Sequence, residues 1–161
     1  MGRQSMKSPP AAPEATRYED DFYTWIGEQI ALLKAGKTAE IDALNIAEEL
    51  SDVGNEQRDK LESSLAVLTQ HLLKWDHQVS RRSRSWVETI AEQRRRIDRL
   101  IKRNPGLKSV LDEGIGVGYA DGRGRASVET GLKRSAFPEN CPYSFDELMT
   151  RVVELDDIKS P

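Results

Sequence analysis

Apolar residues recur along this chain at steps of three and four, the spacing of helix faces that pack on one another. Tyr23, Ile26, Ile30 and Leu33 trace one such face, widened by Phe22 and Trp25. Thr16 and Glu19 stand in T-x-x-E spacing, a capping box that would open this first helix at Thr16. Gly36 stands where a C′ glycine would end it. A second helix is predicted from near Asp42 toward His77. Its later part carries Leu61, Leu65, Leu68, Leu72 and Trp75, a 4-3-4-3 seam suited to packing against another helix. Ile46, Leu50 and Val53 form a similar stripe earlier, and Gly54, between the two, is a plausible kink or break.

The polar stretch Val79–Arg84 predicts a turn. Ser85 and Glu88 repeat the capping-box spacing and open a third helix, on which Trp86, Ile90, Gln93, Ile97 and Leu100 again step 4-3-4-3. Asn104, Pro105 and Gly106 end it, with Asn104 able to cap the next helix and Pro105 at its first position. That fourth helix is predicted from about Leu107 to Glu129, stopping at Gly131. Gly114, Gly116, Gly118, Gly122 and Gly124 weaken its interior. Pro138 and Pro142 bracket an extended link. Ser144 and Glu147 form a third capping box, Tyr143 and Leu148 a hydrophobic staple, and a short last helix reaches about Leu155. No stretch reads as a strand and no fixed repeat occurs. The prediction is an all-α bundle of four to five helices, with a long antiparallel hairpin of helix 2 and helix 3. Residues 16–156 would form a single helical domain, residues 1–15 a disordered leader and residues 157–161 a disordered tail.

Composition sharpens the picture in three ways. At 161 residues the chain has room for about one domain. Charged residues make up 32% of it, against roughly 25% in average domains, which implies a modest core under a charged surface. Cys141 is the lone cysteine, so an intrachain disulfide and an all-cysteine metal cage are excluded. The sequence has no apolar run long enough for a membrane span. The first fifteen residues hold three prolines and lack the apolar core of a secretory signal. They miss the myristoylation pattern because Met6 stands where Ser or Thr is required. A cytoplasmic location is expected.

The net charge of −3 hides a strong asymmetry. Residues 14–56 hold eleven acids and three bases, a net of −8. Residues 81–103 hold nine bases and three acids, a net of +6. Such patches can attract each other within the fold or face partners of opposite sign.

Candidate chemistry is sparse. The two histidines, His71 and His77, are six residues apart, which turns them about 240° from each other on one helix. The Glu-x-x-His signature of bundle di-iron sites is absent, since Leu68 and Lys74 stand three residues before them. No metal is expected. The weak candidates are Glu49, Asp52 and Glu56, one stripe of carboxylates, together with His71. In a hairpin turning at residues 80–84, positions whose numbers total about 164 lie level. That brings Gln70 and His71 level with Gln93 and Arg94. An inward guanidinium at Arg94 needs an acceptor. This layer is either an architectural hydrogen-bonded girdle or a catalytic site built on His71 and Arg94, aided by Glu49 or Asp52. A continuous second helix would hold Glu49 about 33 Å from His71.

Arg95, Arg99, Lys102 and Arg103 form an outward basic stripe, extended at the turn by Arg81, Arg82 and Arg84. Phosphate binding needs such a track, yet Glu92 and Asp98 partly neutralise it through i, i+4 pairs. No helix-turn-helix spacing or aromatic platform accompanies it. The glycine cluster at 114–118 fails the dinucleotide motif, because Asp121 stands where the third glycine is needed and no strand precedes it. Cys141, between Asn140 and Pro142, reads as a structural thiol.

Several strings fall in an order that resembles one bacterial family. Tyr18 to Trp25 reads YEDDFYTW, Ile46 to Leu50 IAEEL, His71 to Trp75 HLLKW, Arg81 to Trp86 RRSRSW and Phe137 to Ser144 FPENCPYS. Over roughly residues 17–155 the chain resembles the domain-of-unknown-function family numbered twenty-nine. The resemblance implies a small, mostly helical bacterial protein with no established activity, and it transfers no catalytic residue. The five glycines of residues 114–124 depart from the family, whose corresponding helix is richer in alanine and charge.

The residues support three functional readings. The first is a non-catalytic cytoplasmic interaction module that binds a protein partner and needs no cofactor. The second is a metal-dependent hydrolase or other enzyme around His71 and Arg94. The third, disfavoured by the acidic balance of the chain, is nucleic-acid binding along the third helix through Arg81, Arg84, Arg95, Arg99, Lys102 and Arg103.

Overall fold

The computed structural model describes residues 17–154. The expected leader, Thr16 of the first capping box and the expected tail lie outside the described residues. Five α-helices succeed one another: α1 (Phe22–Lys34), α2 (Ala43–His77), α3 (Arg84–Arg103), α4 (Leu111–Thr130) and α5 (Phe145–Thr150). Short 3-10 turns occupy Val79–Arg81, Pro105–Val110 and Arg134–Ala136. No strand occurs among the described residues, so the all-α bundle is as expected. Two compact units divide the chain, one up to Asp52 and one from Val53 onward.

The first unit holds α1 and the start of α2. Helix α1 begins five residues later than the T-x-x-E spacing predicts, with its cap at Asp21 and not at Thr16. The Asp21 carboxylate accepts the Thr24 amide at 3.0 Å and the Thr24 hydroxyl at 2.6 Å. At the other end Gly36 adopts φ 71°, a left-handed conformation open to glycine without strain. The Gly36 amide reaches Leu33 O and the Lys37 amide reaches Leu32 O, the paired bonds of a Schellman stop. Asp42 caps α2 through the Asn45 amide, and its own amide donates to the buried Gln29 side chain at 2.8 Å. The buried side of α1 is Trp25 and Gln29. Its regular apolar stripe faces outward instead: Tyr23 is 87% exposed, and Phe22, Ile30 and Leu33 are also exposed.

Helix α2 runs unbroken through Gly54 into the second unit. There the expected seam forms the core. Leu61, Leu65, Leu68 and Leu72 pack with Ile90, Ile97 and Ile101 of α3, Ile115 of α4 and Leu148 of α5. A second cluster joins Leu73 to Tyr119, Ala126 and Phe137. The earlier stripe does not join the core: Leu50 is 66% exposed and Val53 is exposed as well. The capping box at Ser85 is not formed. Ser83 precedes α3 and its hydroxyl meets that of Ser85 at 2.9 Å. Nor does Asn104 cap the start of α4. Its side-chain amide donates back to Leu100 O at 3.1 Å, and a 3-10 turn replaces the expected first turn of α4. Gly131 ends α4 at φ 72°. The Ser144–Glu147 box is complete, with the Glu147 amide donating to Ser144 Oγ and the Ser144 amide donating to the Glu147 carboxylate. Helix α5 stops at Thr150, five residues before its expected end.

The glycines of α4 serve a purpose the pattern concealed. Gly114, Gly118, Gly122 and Ala126 recur every fourth residue and are all buried. A Cβ on Gly118 would lie 2.7 Å from Leu65 Cβ and 2.9 Å from Glu62 O. A Cβ on Gly122 would overlap Thr69 Oγ1 and lie 2.5 Å from Ala66 O. Only hydrogen fits between these backbones. Gly116 and Gly124, by contrast, have nothing within 4 Å of such a Cβ. Overpacking costs about 1–3 kcal/mol, so Gly122→Ala is expected to lower the denaturation midpoint strongly. Gly124→Ala is expected to raise stability by about 0.5–1 kcal/mol through the helix propensity of alanine. Urea unfolding of both variants beside the parent measures the contrast, and equal effects would refute the packing account.

Candidate functional site

The level polar layer expected on α2 and α3 is present as residues but not as one network. Gln70 and Gln93 are buried, and His71 and Arg94 are half-buried. His71 Nδ1 lies 2.9 Å from Val67 O, one turn back on its own helix, so that nitrogen carries the proton and donates. Burial is the main force pushing the His71 ring below its ordinary value of 6.5. The Lys74 ammonium adds to this, while the Val67 carbonyl and Glu129 oppose it. Arg94 Nε donates to Leu148 O at 2.7 Å, fastening α3 to α5. Its Nη2 is buried without a partner. Burial, then the nearby Arg151 charge, holds the Arg94 guanidinium below its ordinary value. His71 and Arg94 thus serve different elements.

Two ion pairs that sequence spacing does not reveal lie beside them. Lys74 has only 9% of its side chain exposed and pairs with Glu129 of α4. Its ammonium also sits 4.5 Å from the centre of the Trp86 ring. Glu129 is held below the usual carboxylate range by the Lys74 bond first, with Gln70 also donating to it. Asp76, next to the end of α2, gathers Arg151 through two bonds and the Tyr143 hydroxyl at 2.6 Å. Burial raises Asp76, but the Arg151 and Tyr143 bonds together outweigh it and leave the carboxyl lowered. Tyr143 is pushed far up by burial and by Asp76. This triad pins the segment after α4 onto α2. The partners are 67 and 75 residues apart in sequence, which no local spacing signals.

Glu49 and Asp52 lie in the first unit. Glu49 accepts the Tyr18 hydroxyl, which raises Tyr18 to about 12. Glu56, in the second unit, pairs with Lys60 at 2.7 Å. Among the described residues no three His, Cys, Asp or Glu side chains are placed to hold a metal ion. Cys141 is half-buried and donates to Tyr143 O at 3.4 Å. Burial raises its thiol above the ordinary value, which suits a structural sulfur better than a nucleophile.

The basic face of α3 is partly spent on its own acids. Arg95 and Arg96 pair with Glu92 at 2.8 and 2.9 Å, and Lys102 pairs with Asp98 at 2.8 Å. Arg99 reaches Glu92 only at 3.8 Å. Arg81 lies in the 3-10 turn before α3, Arg84 opens the helix, and Arg103 closes it. These three have no acidic partner among the described residues. The hairpin rule does hold on this side: Ser64 of α2 and Leu100 of α3, level by number, line one groove of about 640 Å³. No helix among the described residues is long and apolar enough to cross a membrane.

The shifts of His71 and Asp76 separate two pH windows. His71 binds its proton less well folded than unfolded, so its contribution is whole above 6.5 and is lost as pH falls below that value. Asp76 follows the same sign in a lower window: its contribution is intact above 3.8 and is lost as pH falls from there through its lowered folded value. The melting temperature is therefore expected to fall between about pH 7 and pH 5. His71→Gln should flatten that limb and leave the loss below 3.8 unchanged. An unaltered slope in His71→Gln would reject the assignment.

Comparison with known proteins adds a family but no activity. No curated protein and no solved structure matches the chain significantly. The family described as "Domain of unknown function DUF29" matches residues 17–152, nearly all of the chain that forms the helices above. The ordered strings from Tyr18 to Ser144 fall within that match, and the chain belongs to the DUF29 family.

Proposed function

We propose that the protein is a helical docking module that takes a basic amphipathic helix of a partner protein on its first unit. The observation that carries this reading is the stripe on α1. Phe22, Ile26, Ile30 and Leu33 step along one face, with Tyr23 beside them, and none of the five is buried. Leu44 and Leu50 add two more exposed apolar side chains to the same unit. Single exposed apolar residues need no explanation, whereas a periodic stripe of large ones marks an interaction surface.

The charge of the unit narrows the partner. Residues 17–52 hold nine acids and three bases, a net of −6. A partner helix with anchors at i, i+3, i+4 and i+7, flanked by lysine or arginine, matches both the stripe and the field around it. The internal engagements of His71 and Arg94 favour an architectural role for them over catalysis. The pairing of Arg95 and Lys102 with acids of α3 argues against a continuous phosphate track. The module is placed in the cytoplasm, where a lone thiol such as Cys141 stays reduced.

Co-purification from native cells with the parent chain and with an Ile30→Asp/Leu33→Asp double variant tests the reading. The expected result is a partner lost in the variant whose contact segment, made as a peptide, forms a basic amphipathic helix and binds the parent in a salt-sensitive manner. Partners unaffected by the double variant would overturn the proposal. So would a dimer of the parent alone that the variant dissolves, because the stripe would then be covered by a second copy.

A further inference from the structure

In the second unit, the groove between α2 and α3 carries positive charge that its own residues do not cancel. Arg96, Arg99 and Arg103 recur at steps of three and four and line the α3 wall. Lys60, Ser63 and Ser64 line the α2 wall. Glu92 is the only carboxylate these arginines reach among the described residues, and it is shared among Arg95, Arg96 and, distantly, Arg99. On the other wall Glu56 neutralises Lys60, and Asp59 is the remaining acid. The lining thus sets four cations against two acids, a surplus of +2. The volume of about 640 Å³ falls in the range of small-molecule sites. Leu100 and the methylene stems of the long side chains supply the apolar surface.

We infer that this groove binds a phosphomonoester on a small hydroxyl-bearing body, a sugar phosphate or a nucleoside monophosphate. Such a group carries roughly −1.5 to −2 charges at neutral pH, which matches the surplus. Guanidinium forks offer paired donors to phosphate oxygens, and Arg99 and Arg103 are the least committed in the groove. Ser63, Ser64 and Asp59 stand across from them with the donors and acceptors that a sugar hydroxyl requires. The site is independent of the helix-docking surface, since every lining residue lies in the second unit.

Amide NMR titration of the full chain with ribose 5-phosphate, adenosine 5′-monophosphate, adenosine and inorganic phosphate tests the inference. Saturable shifts at Ser63, Ser64 and Leu100 are expected with both phosphomonoesters, weaker binding with phosphate alone, and none with adenosine. Losing charged hydrogen bonds should weaken binding at least about tenfold in Arg99→Ala/Arg103→Ala. Both side chains are exposed, so an unchanged circular dichroism spectrum is expected. Arg81→Ala/Arg84→Ala removes equal charge outside the groove and should leave affinity within about twofold, as for surface charges generally. Affinity should also fall as the phosphate gains its proton near pH ~6. The inference is overturned by no saturable shift with either phosphomonoester, by adenosine binding as tightly as its monophosphate, or by equal losses in the two double variants. It is also overturned by inorganic phosphate binding as tightly as its esters, or by single-stranded RNA displacing adenosine 5′-monophosphate with a steep salt slope.

Discussion

The second unit depends on how near the backbone of α4 comes to that of α2. Two helices whose contact residues carry side chains keep their axes about 8–10 Å apart. At Gly118 and Gly122 even a methyl group would meet the carbonyls of Glu62 and Ala66. Close approach removes the space a larger residue would fill and gives the core its density. It also sets the position of every other α4 side chain. Ile115 and Tyr119 reach the two apolar clusters because the glycine stripe beside them lies flush on α2. Thr69 answers the stripe from the other side. Its hydroxyl is satisfied by Leu65 O at 2.8 Å on its own helix, so it needs no room on α4.

That contact brings α4 near polar groups that must then be paired. Lys74 is nearly buried, and an ammonium removed from water needs a counter-charge. Glu129, on the last turn of α4, supplies it, and the Trp86 ring covers the ammonium. Asp76, one residue from the end of α2, meets the same demand with Arg151 and Tyr143. Tyr119 closes a third connection, donating to Pro138 O at 2.6 Å. The extended link between Pro138 and Pro142 is therefore held by side chains of two helices, not by secondary structure of its own.

How much of this could be read in advance depends on which forces are local. The 4-3-4-3 seam on α2 was legible because burial of one face needs only the helical period. The Gly36 and Gly131 stops and the Ser144–Glu147 box were legible because a few adjacent residues complete them. Capping-box spacing at Thr16 and at Ser85 does not mark the helix starts: Asp21 caps α1 through the Thr24 amide, and Ser83 precedes α3 without a side-chain capping bond. The α1 period defines a face but does not say whether it turns inward: Trp25, expected to widen the stripe, lies with Gln29 on the buried side, and the stripe itself is left outside. Helix propensity, counted along one helix, makes the glycines of α4 a weakness. Their role exists only opposite Ala66 and Thr69, some fifty residues earlier. His71 and Arg94 are half-buried, and their partners, Val67 O and Leu148 O, are carbonyls that any sequence offers everywhere.

The same distinction bears on the charged surface. Pairs at i, i+4 are satisfied within a helix and leave no field for a partner, as with Lys102 and Asp98. A helix with more bases than such pairs can absorb keeps a remainder, and its periodicity decides where the remainder points. On α3 one carboxylate, Glu92, stands among Arg95, Arg96 and Arg99. The uncompensated charge then runs down the side that faces α2, ending at Arg103. Net charge could not reveal this, because the chain as a whole is slightly acidic. What matters is the number of bases per reachable acid on one helical face, a quantity that becomes definite once the hairpin fixes which face looks across at Lys60 and Ser64.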